Sequence, residues 1–202
     1  FTTNDSSSPP LVNSVTLTDN ASVEATAMDP QTEYYVEVSV TDNQTLEHLT
    51  SVVLTVWYDA DGDHTPVPTS VDNQTCAIIT WTPADTWTLT AMGAGSTWSI
   101  TNGTTPTLTN NTGTFIFHFT PGKVATENAG SDDWDITAVA TDAAAGSDDE
   151  TQTGLDMNWR GEINNVSASV DFGSVSLGTE DMSSALTATY IANGDYSEQA
   201  KT

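Results

Sequence analysis

Residues 49–63 carry the clearest alternation of apolar and polar positions in the chain. Val52, Leu54, Val56 and Tyr58 fall at every second position, and a second set that includes Thr55 takes the other face. This two-residue period is that of a β-strand with one face in a core. Because burying each large side chain contributes about 1.5–3 kcal/mol, we expect a central strand with other strands paired beside it.

The same alternation recurs along the chain between residues 11 and 160. Further strands are predicted around residues 15–17, 34–40, 76–81, 87–89, 98–100, 115–119, 134–140 and 155–159. Phe115, Phe117 and Phe119 lie in register on one face and are expected to point inward. About nine or ten strands with this spacing predict an all-β sandwich, with no long amphipathic helix and at most one helical turn at residues 126–128.

The pattern divides the chain into three parts. Residues 1–10 are predicted to be an extended arm, since their Pro-Pro end does not readily join a helix or a central strand. Residues 11–160 form the β-sandwich domain, and residues 161–202 form a second β-domain. Only two or three strands fit in this last part, and a sheet that small cannot support itself. We expect it to be either cut short or completed by the first domain or by a neighbouring molecule.

The charge balance is extreme and excludes several classes of partner. The 202 residues include 28 acidic side chains against Lys123, Arg160 and Lys201, which gives a formal net charge of -25. Such a field repels nucleic acid and anionic membranes and attracts divalent cations. No apolar run approaches the roughly 18 residues needed to span a bilayer, so no direct membrane span is predicted in this chain.

The sequence also favours an exported glycoprotein at the cell surface. Seven Asn-x-Ser/Thr sequons, none with proline in the middle, begin at Asn4, Asn20, Asn43, Asn73, Asn102, Asn110 and Asn165. Most lie between strand-like runs, where an N-linked glycan would face solvent. Cys76 is the chain's single cysteine and is expected to be a small core residue. Because the chain begins at Phe1 without an initiator methionine, we expect a processed product or a fragment.

Three aspartates that follow the central strand are the candidate metal ligands. Asp59, Asp61 and Asp63 resemble the opening of a calcium loop, in which alternate carboxylates converge on a hard cation. The match is partial, because an EF-hand has glycine sixth and a bidentate acid twelfth, where this chain has His64 and Ser70. The alternative is an ordinary turn whose aspartates bond to the backbone.

Other chemistry has less support. The acidic residues at 132–133 and 148–150 are expected to lie in solvated loops. His48, His64 and His118 are too scattered for a zinc triad, and the chain has no HExxH or GxSxG motif. No pair of acids is singled out for a glycosidase. Most of the six tryptophans fall in strand-like runs and are expected to pack in the core. We therefore do not expect an enzyme.

Several stretches resemble a family of surface proteins. The run LDMNWRGEINNVSASVDFGSVSLG at 155–178, with YIANGDY at 190–196, is similar to the junction between tandem immunoglobulin-like β-domains in archaeal exported surface proteins. VVLTVWYDADGD and FIFHFTPGKVA resemble the strands and loops of a first domain. The resemblance implies an immunoglobulin-like β-sandwich in a glycosylated component of a surface layer, sheath or filament, and it identifies no catalytic residue.

These features lead to two functional hypotheses. The first is a structural, self-assembling extracellular glycoprotein, whose partner is itself and whose subunits join through strand pairing and calcium. The arm and the strands after Gly161 are then expected at the subunit contacts. The alternative is a calcium-dependent adhesin or carbohydrate-binding module that uses exposed aromatic side chains.

Overall fold

The computed structural model describes residues 8–128, 130–166, 174, 177–178 and 187–197. Twelve strands occur in this part of the chain, and the first ten form the sandwich. The twelve strands are β1 (Leu11–Asp19), β2 (Ala27–Met28), β3 (Tyr34–Thr41), β4 (Leu49–Asp59), β5 (Cys76–Thr82), β6 (Thr86–Leu89), β7 (Ser99–Thr104), β8 (Thr112–Thr120), β9 (Asp133–Asp142), β10 (Ser147–Met157), β11 (Gly161–Val166) and β12 (Ala188–Ala192).

Two sheets form the body of the protein. The first has four strands in the order β1-β3-β8-β7, and the second has six in the order β2-β10-β9-β4-β5-β6. Neighbouring strands are antiparallel except for the short parallel pair β2 and β10. The prediction of an all-β sandwich with nine or ten strands before residue 160 is confirmed. The immunoglobulin-like arrangement stays a prediction.

Strand β4 is central, as its pattern predicts. It pairs with β5 on one side and with β9 on the other. Val52, Leu54 and Val56 are fully buried in the core between the sheets. Their alternation therefore identified the core face of this strand correctly.

Aromatic side chains join the two sheets across the core. The rings of Phe115 and Phe117 on β8 lie 4.6 Å from Trp81 and 4.9 Å from Trp87 respectively, centroid to centroid. Phe119 stacks with Trp98 at 6.3 Å. The three phenylalanines point inward as predicted, and such pairs add about 0.5–1.5 kcal/mol each to the stabilisation from burial. Five of the six tryptophans are buried, while Trp159 is 50% exposed.

The outer edge of β1 is closed by side chains of β10. The backbone N–H of Leu17 donates to Gln152 Oε1 at 2.6 Å, and that of Val12 donates to Asp148 Oδ2 at 2.9 Å. Backbone donors that would otherwise stay open for another strand are thus used within the molecule. Pro10, the last residue of the predicted arm, is buried. Residues 1–7 of the arm lie outside the described part of the chain.

One local expectation was wrong, and one turn that the sequence allowed does not form. Residues 148–150 belong to β10 and pair with β9 through Asp148 and Ala140, so they do not form a loop. Residues 126–128 form no helical turn, because Thr126 and Glu127 donate their backbone N–H groups to Gln74 and Asn193. The described residues contain one short 3-10 turn instead, at Leu46–His48.

After Met157 the chain enters a separate antiparallel hairpin of β11 and β12. Asn193, which follows β12, fastens the hairpin to the body. Its side-chain amide donates to the carbonyl oxygens of Ala125 and Asn158, and its Oδ1 accepts the N–H of Arg160 at 2.6 Å. Residues 167–173, 175–176 and 179–186 of the predicted second domain lie outside the described part of the chain. No helix in the described part of the chain has the length and apolarity to cross a bilayer.

Candidate metal centre

The loop after β4 folds back over the end of the sheet through left-handed backbone conformations. Gly62 has φ +70° and His64 has φ +61°. At Gly62 a side chain would also collide with the backbone, since an added Cβ would lie 2.8 Å from the carbonyl oxygen of Ser131. The loop is therefore held tightly against the segment that leads into β9.

The three aspartates predicted as calcium ligands bond mainly to this loop. Asp59 accepts the N–H of Asp61 at 3.3 Å and that of His64 at 2.6 Å. Asp63 accepts the N–H of Thr65 at 2.9 Å. These bonds are those of the turn alternative, although one oxygen from each of Asp59, Asp61 and Asp63 still lies within 4.8 Å of the others. Asp61 and Asp63 are exposed.

The structure assembles a second cluster, which shares Asp59 and adds His64, Asp133 and Asp135. The pairing of β4 with β9 places Asp59 opposite Asp133 and Trp57 opposite Asp135. Since directly paired residues and residues two apart share one side of a sheet, all three carboxylates lie on the outer face. Trp134, between the two β9 aspartates, points into the core and is fully buried.

The imidazole of His64 covers these three carboxylates. Its Nδ1 lies 3.0 Å from Asp135 Oδ2, 3.5 Å from Asp59 Oδ2 and 3.9 Å from Asp133 Oδ1. Asp135 is completely buried and Asp59 is 3% exposed, whereas the His64 side chain is 39% exposed. The carboxylates therefore lie beneath the imidazole, and the histidine separates them from solvent.

The protonation of the cluster follows from burial and from these neighbours. Burial raises the pKa values of Asp135 and Asp133, and the nearby His64 offsets only part of this rise. Burial also acts to raise the pKa of Asp59, but the backbone N–H donors of His64 and Asp61 outweigh it and lower the pKa overall. The hydrogen bond to Asp135 is the main reason that the pKa of His64 is raised.

Two oxygen atoms in the cluster have no hydrogen-bond partner. They are Oδ1 of Asp133 and Oδ1 of Asp135, and both are buried. Buried carboxylate oxygens in folded proteins are nearly always paired, because desolvating them without a partner is costly. The cluster therefore offers one imidazole and three carboxylates, two of which each have an acceptor oxygen without a partner, and this is a donor set for a divalent cation.

Sequence reasoning missed this cluster. The available signal was the Asp-Trp-Asp alternation at 133–135, which places two acids on the strand face opposite a core tryptophan. Asp133 was expected in a solvated loop, and His64 was grouped with two distant histidines. His118 instead stacks on Tyr35 with ring centroids 4.0 Å apart. Neither His48 nor His118 joins a group of potential metal ligands among the described residues.

Five of the predicted glycosylation sites are accessible. Asn20, Asn43, Asn102, Asn110 and Asn165 are exposed. Asn73 is half-buried and its side-chain oxygen is enclosed, while Asn4 lies outside the described residues. Cys76 is buried, and this burial raises the pKa of its thiol to about 11.

No protein-family model matches this chain, and no curated protein matches it either.

Proposed function

We propose that this protein is a structural, self-assembling extracellular glycoprotein, the subunit of a cell-surface layer or filament. The observation that carries the proposal is the contrast between a ten-stranded sandwich with its own core and a two-stranded hairpin in one chain. Strands β11 and β12 pair only with each other among the described residues. A two-stranded ribbon is marginal on its own in water, and its unpaired edges are templates for strands of another molecule.

The hairpin also exposes large apolar side chains. Ile163 is 70% exposed and lies opposite Tyr190, whose ring packs edge-on against Tyr196 at 4.2 Å. Val166 and Tyr196 are each about half exposed. Apolar side chains concentrated on one small element are typical of a contact surface, whereas single exposed ones are ordinary. Strand pairing with a second copy would cover them and supply the missing backbone partners.

The charge of the molecule sets a condition on this assembly. Subunits that each carry a net charge of -25 repel one another unless cations screen them. Glycans on the exposed sequons of the body, at Asn20, Asn43, Asn102 and Asn110, would cover that surface and leave the hairpin and the arm for contacts, whereas a glycan on Asn165, which lies in β11, would have to point away from the contact. Catalysis has no part in this proposal.

Sedimentation velocity and electron microscopy of the purified chain test the proposal. We expect concentration-dependent association into a regular lattice or fibre, because the two outer edges of the β11–β12 ribbon, one on each strand, can pair with the ribbons of two neighbouring copies. Ile163→Asp should abolish this association by placing a charge in the contact. Val23→Asp is the matched control, since Val23 is 60% exposed but lies on the body.

A monomer at every concentration would contradict the proposal, as would an Ile163→Asp variant that assembles like the wild type. The adhesin alternative predicts a monomer that binds glycans in an array. Such a module would bind glycans with exposed aromatic side chains. Of the six tryptophans Trp159 is exposed, and the other five are buried.

A further inference from the structure

We propose that Asp59, His64, Asp133 and Asp135 bind one divalent transition-metal ion of the Mn²⁺ or Zn²⁺ class, which fastens the loop after β4 to strand β9. This site differs from the calcium site predicted at Asp59, Asp61 and Asp63. It goes beyond the proposed assembly function and does not depend on it.

The fold places the four ligands before any ion arrives. Asp59 is the last residue of β4, and its partner in the strand ladder is Asp133, the first residue of β9. Asp135 follows two residues later on the same face. His64 reaches the same point because the tight loop returns it to Asp59, whose carboxylate accepts the backbone N–H of His64.

The distances suit a shared ion. Ligand atoms about 2.1 Å from one zinc-type ion lie about 3.0–3.4 Å from one another in tetrahedral or octahedral geometry. The distances from His64 Nδ1 to the three carboxylates are 3.0, 3.5 and 3.9 Å. Only small side-chain adjustments would bring all four groups to one centre.

The unpartnered oxygens are an independent sign of a ligand. Asp135 is 0% exposed, yet its Oδ1 accepts no hydrogen bond. The Oδ1 of Asp133 is also buried without a partner, and it is the oxygen that faces the imidazole, 3.9 Å from Nδ1. Three carboxylates exceed the charge that a single imidazolium can balance, and a divalent ion would supply both the charge and the missing contacts.

The donor types select the class of ion. Calcium takes six to eight oxygen ligands, whereas imidazole nitrogen is characteristic of zinc and other first-row transition ions, and carboxylate suits manganese. A set of three carboxylates and one imidazole therefore favours Mn²⁺ or Zn²⁺ over Ca²⁺. Asp61 and Asp63 are exposed and are not needed for this set.

Isothermal titration of the full chain with MnCl₂, ZnCl₂ and CaCl₂, after removal of metal with a chelator, tests the site. We expect one Mn²⁺ or Zn²⁺ per chain, bound at least about tenfold more tightly than Ca²⁺. His64→Ala and Asp135→Asn should each weaken binding about tenfold or more. Asp63→Asn is the matched control, an exposed carboxylate of the same loop that accepts the N–H of Thr65 and lies outside the proposed set, and it should bind like the wild type.

Folding of the variants is checked by thermal melting without metal. His64→Ala removes the hydrogen-bond partner of buried Asp135 Oδ2, so it should melt lower than the wild type but in one cooperative transition, whereas Asp135→Asn removes a buried charge and should not melt lower. The electron paramagnetic resonance spectrum of bound Mn²⁺ gives a second readout, which His64→Ala should change. The proposal would be overturned by no binding at millimolar Mn²⁺ or Zn²⁺, by unchanged affinity in folded His64→Ala, or by a preference for Ca²⁺ that Asp63→Asn abolishes.

Discussion

Tyr58, near the end of β4, shows how the fold changes the chemistry of a single side chain. Its ring tilts against Trp134 with centroids 5.9 Å apart, and its hydroxyl donates to Asp132 at 2.5 Å. Burial, reinforced by the hydrogen bond and the negative charge of Asp132, raises the pKa of Tyr58 to about 12. The fold therefore favours the neutral phenol.

This shift predicts a pH dependence of stability. Because the folded-state pKa is raised, the contribution of Tyr58 is fully present below the ordinary tyrosine pKa of about 10 and is lost as the pH rises through about 12. The ultraviolet titration of the wild type minus that of Tyr58→Phe should show one phenol with a midpoint near 12. A midpoint near 10 would mean that neither burial nor the Asp132 contact acts on this phenol.

Single residues also show which features the sequence could predict. The core faces of β4 and β8 follow from alternation alone, since Leu54 and Phe117 are buried as their pattern predicts. The cluster around His64 depends on the register between β4 and β9, which are far apart in the chain. A strand's own sequence does not specify that register, so Asp133 and Asp135 could not be placed beside Asp59.

The β11–β12 hairpin is the element whose behaviour matters most for the proposed assembly. Besides Asn193, an ion pair attaches it to the body: Lys123 Nζ lies 2.5 Å from one carboxylate oxygen of Glu162, and Arg160 Nη2, from the segment just before β11, lies 2.7 Å from the other. Two of the chain's three basic residues thus contact one carboxylate. The alternation after Gly161 predicted strands here, but nothing in a single residue's pattern predicted these attachments.

Asn193 should control how firmly the hairpin is held. In Asn193→Asp the amide donor is lost and an oxygen faces the carbonyl groups of Ala125 and Asn158, so hairpin attachment should weaken by about 1–3 kcal/mol or more. Hydrogen exchange of the β11 and β12 amides should accelerate while exchange in β4 stays slow. Exposed Asn164, in β11, provides the control Asn164→Asp. Equal exchange in both variants would show that Asn193 does not anchor the hairpin.

The net charge affects the stability of the whole folded molecule. With a formal net charge of -25, long-range repulsion opposes the compact state, and added salt screens it. The melting temperature should rise between about 0.05 and 1 M NaCl, because the Debye length falls from more than about 10 Å to about 3 Å. Differential scanning calorimetry measures this change. A melting temperature that falls with salt would show that attractive ion pairs outweigh the repulsion.

Hydrogen exchange of the hairpin before and after association tests most directly whether this protein assembles through the edges of the β11–β12 ribbon and not through its sandwich. We predict that amides of β11 and β12 exchange faster than those of β4 and β9 in the monomer and become protected in the associated form, while amides of β4 and β9 are protected in both. Association that leaves the exchange of β11 and β12 unchanged would contradict assembly through the hairpin.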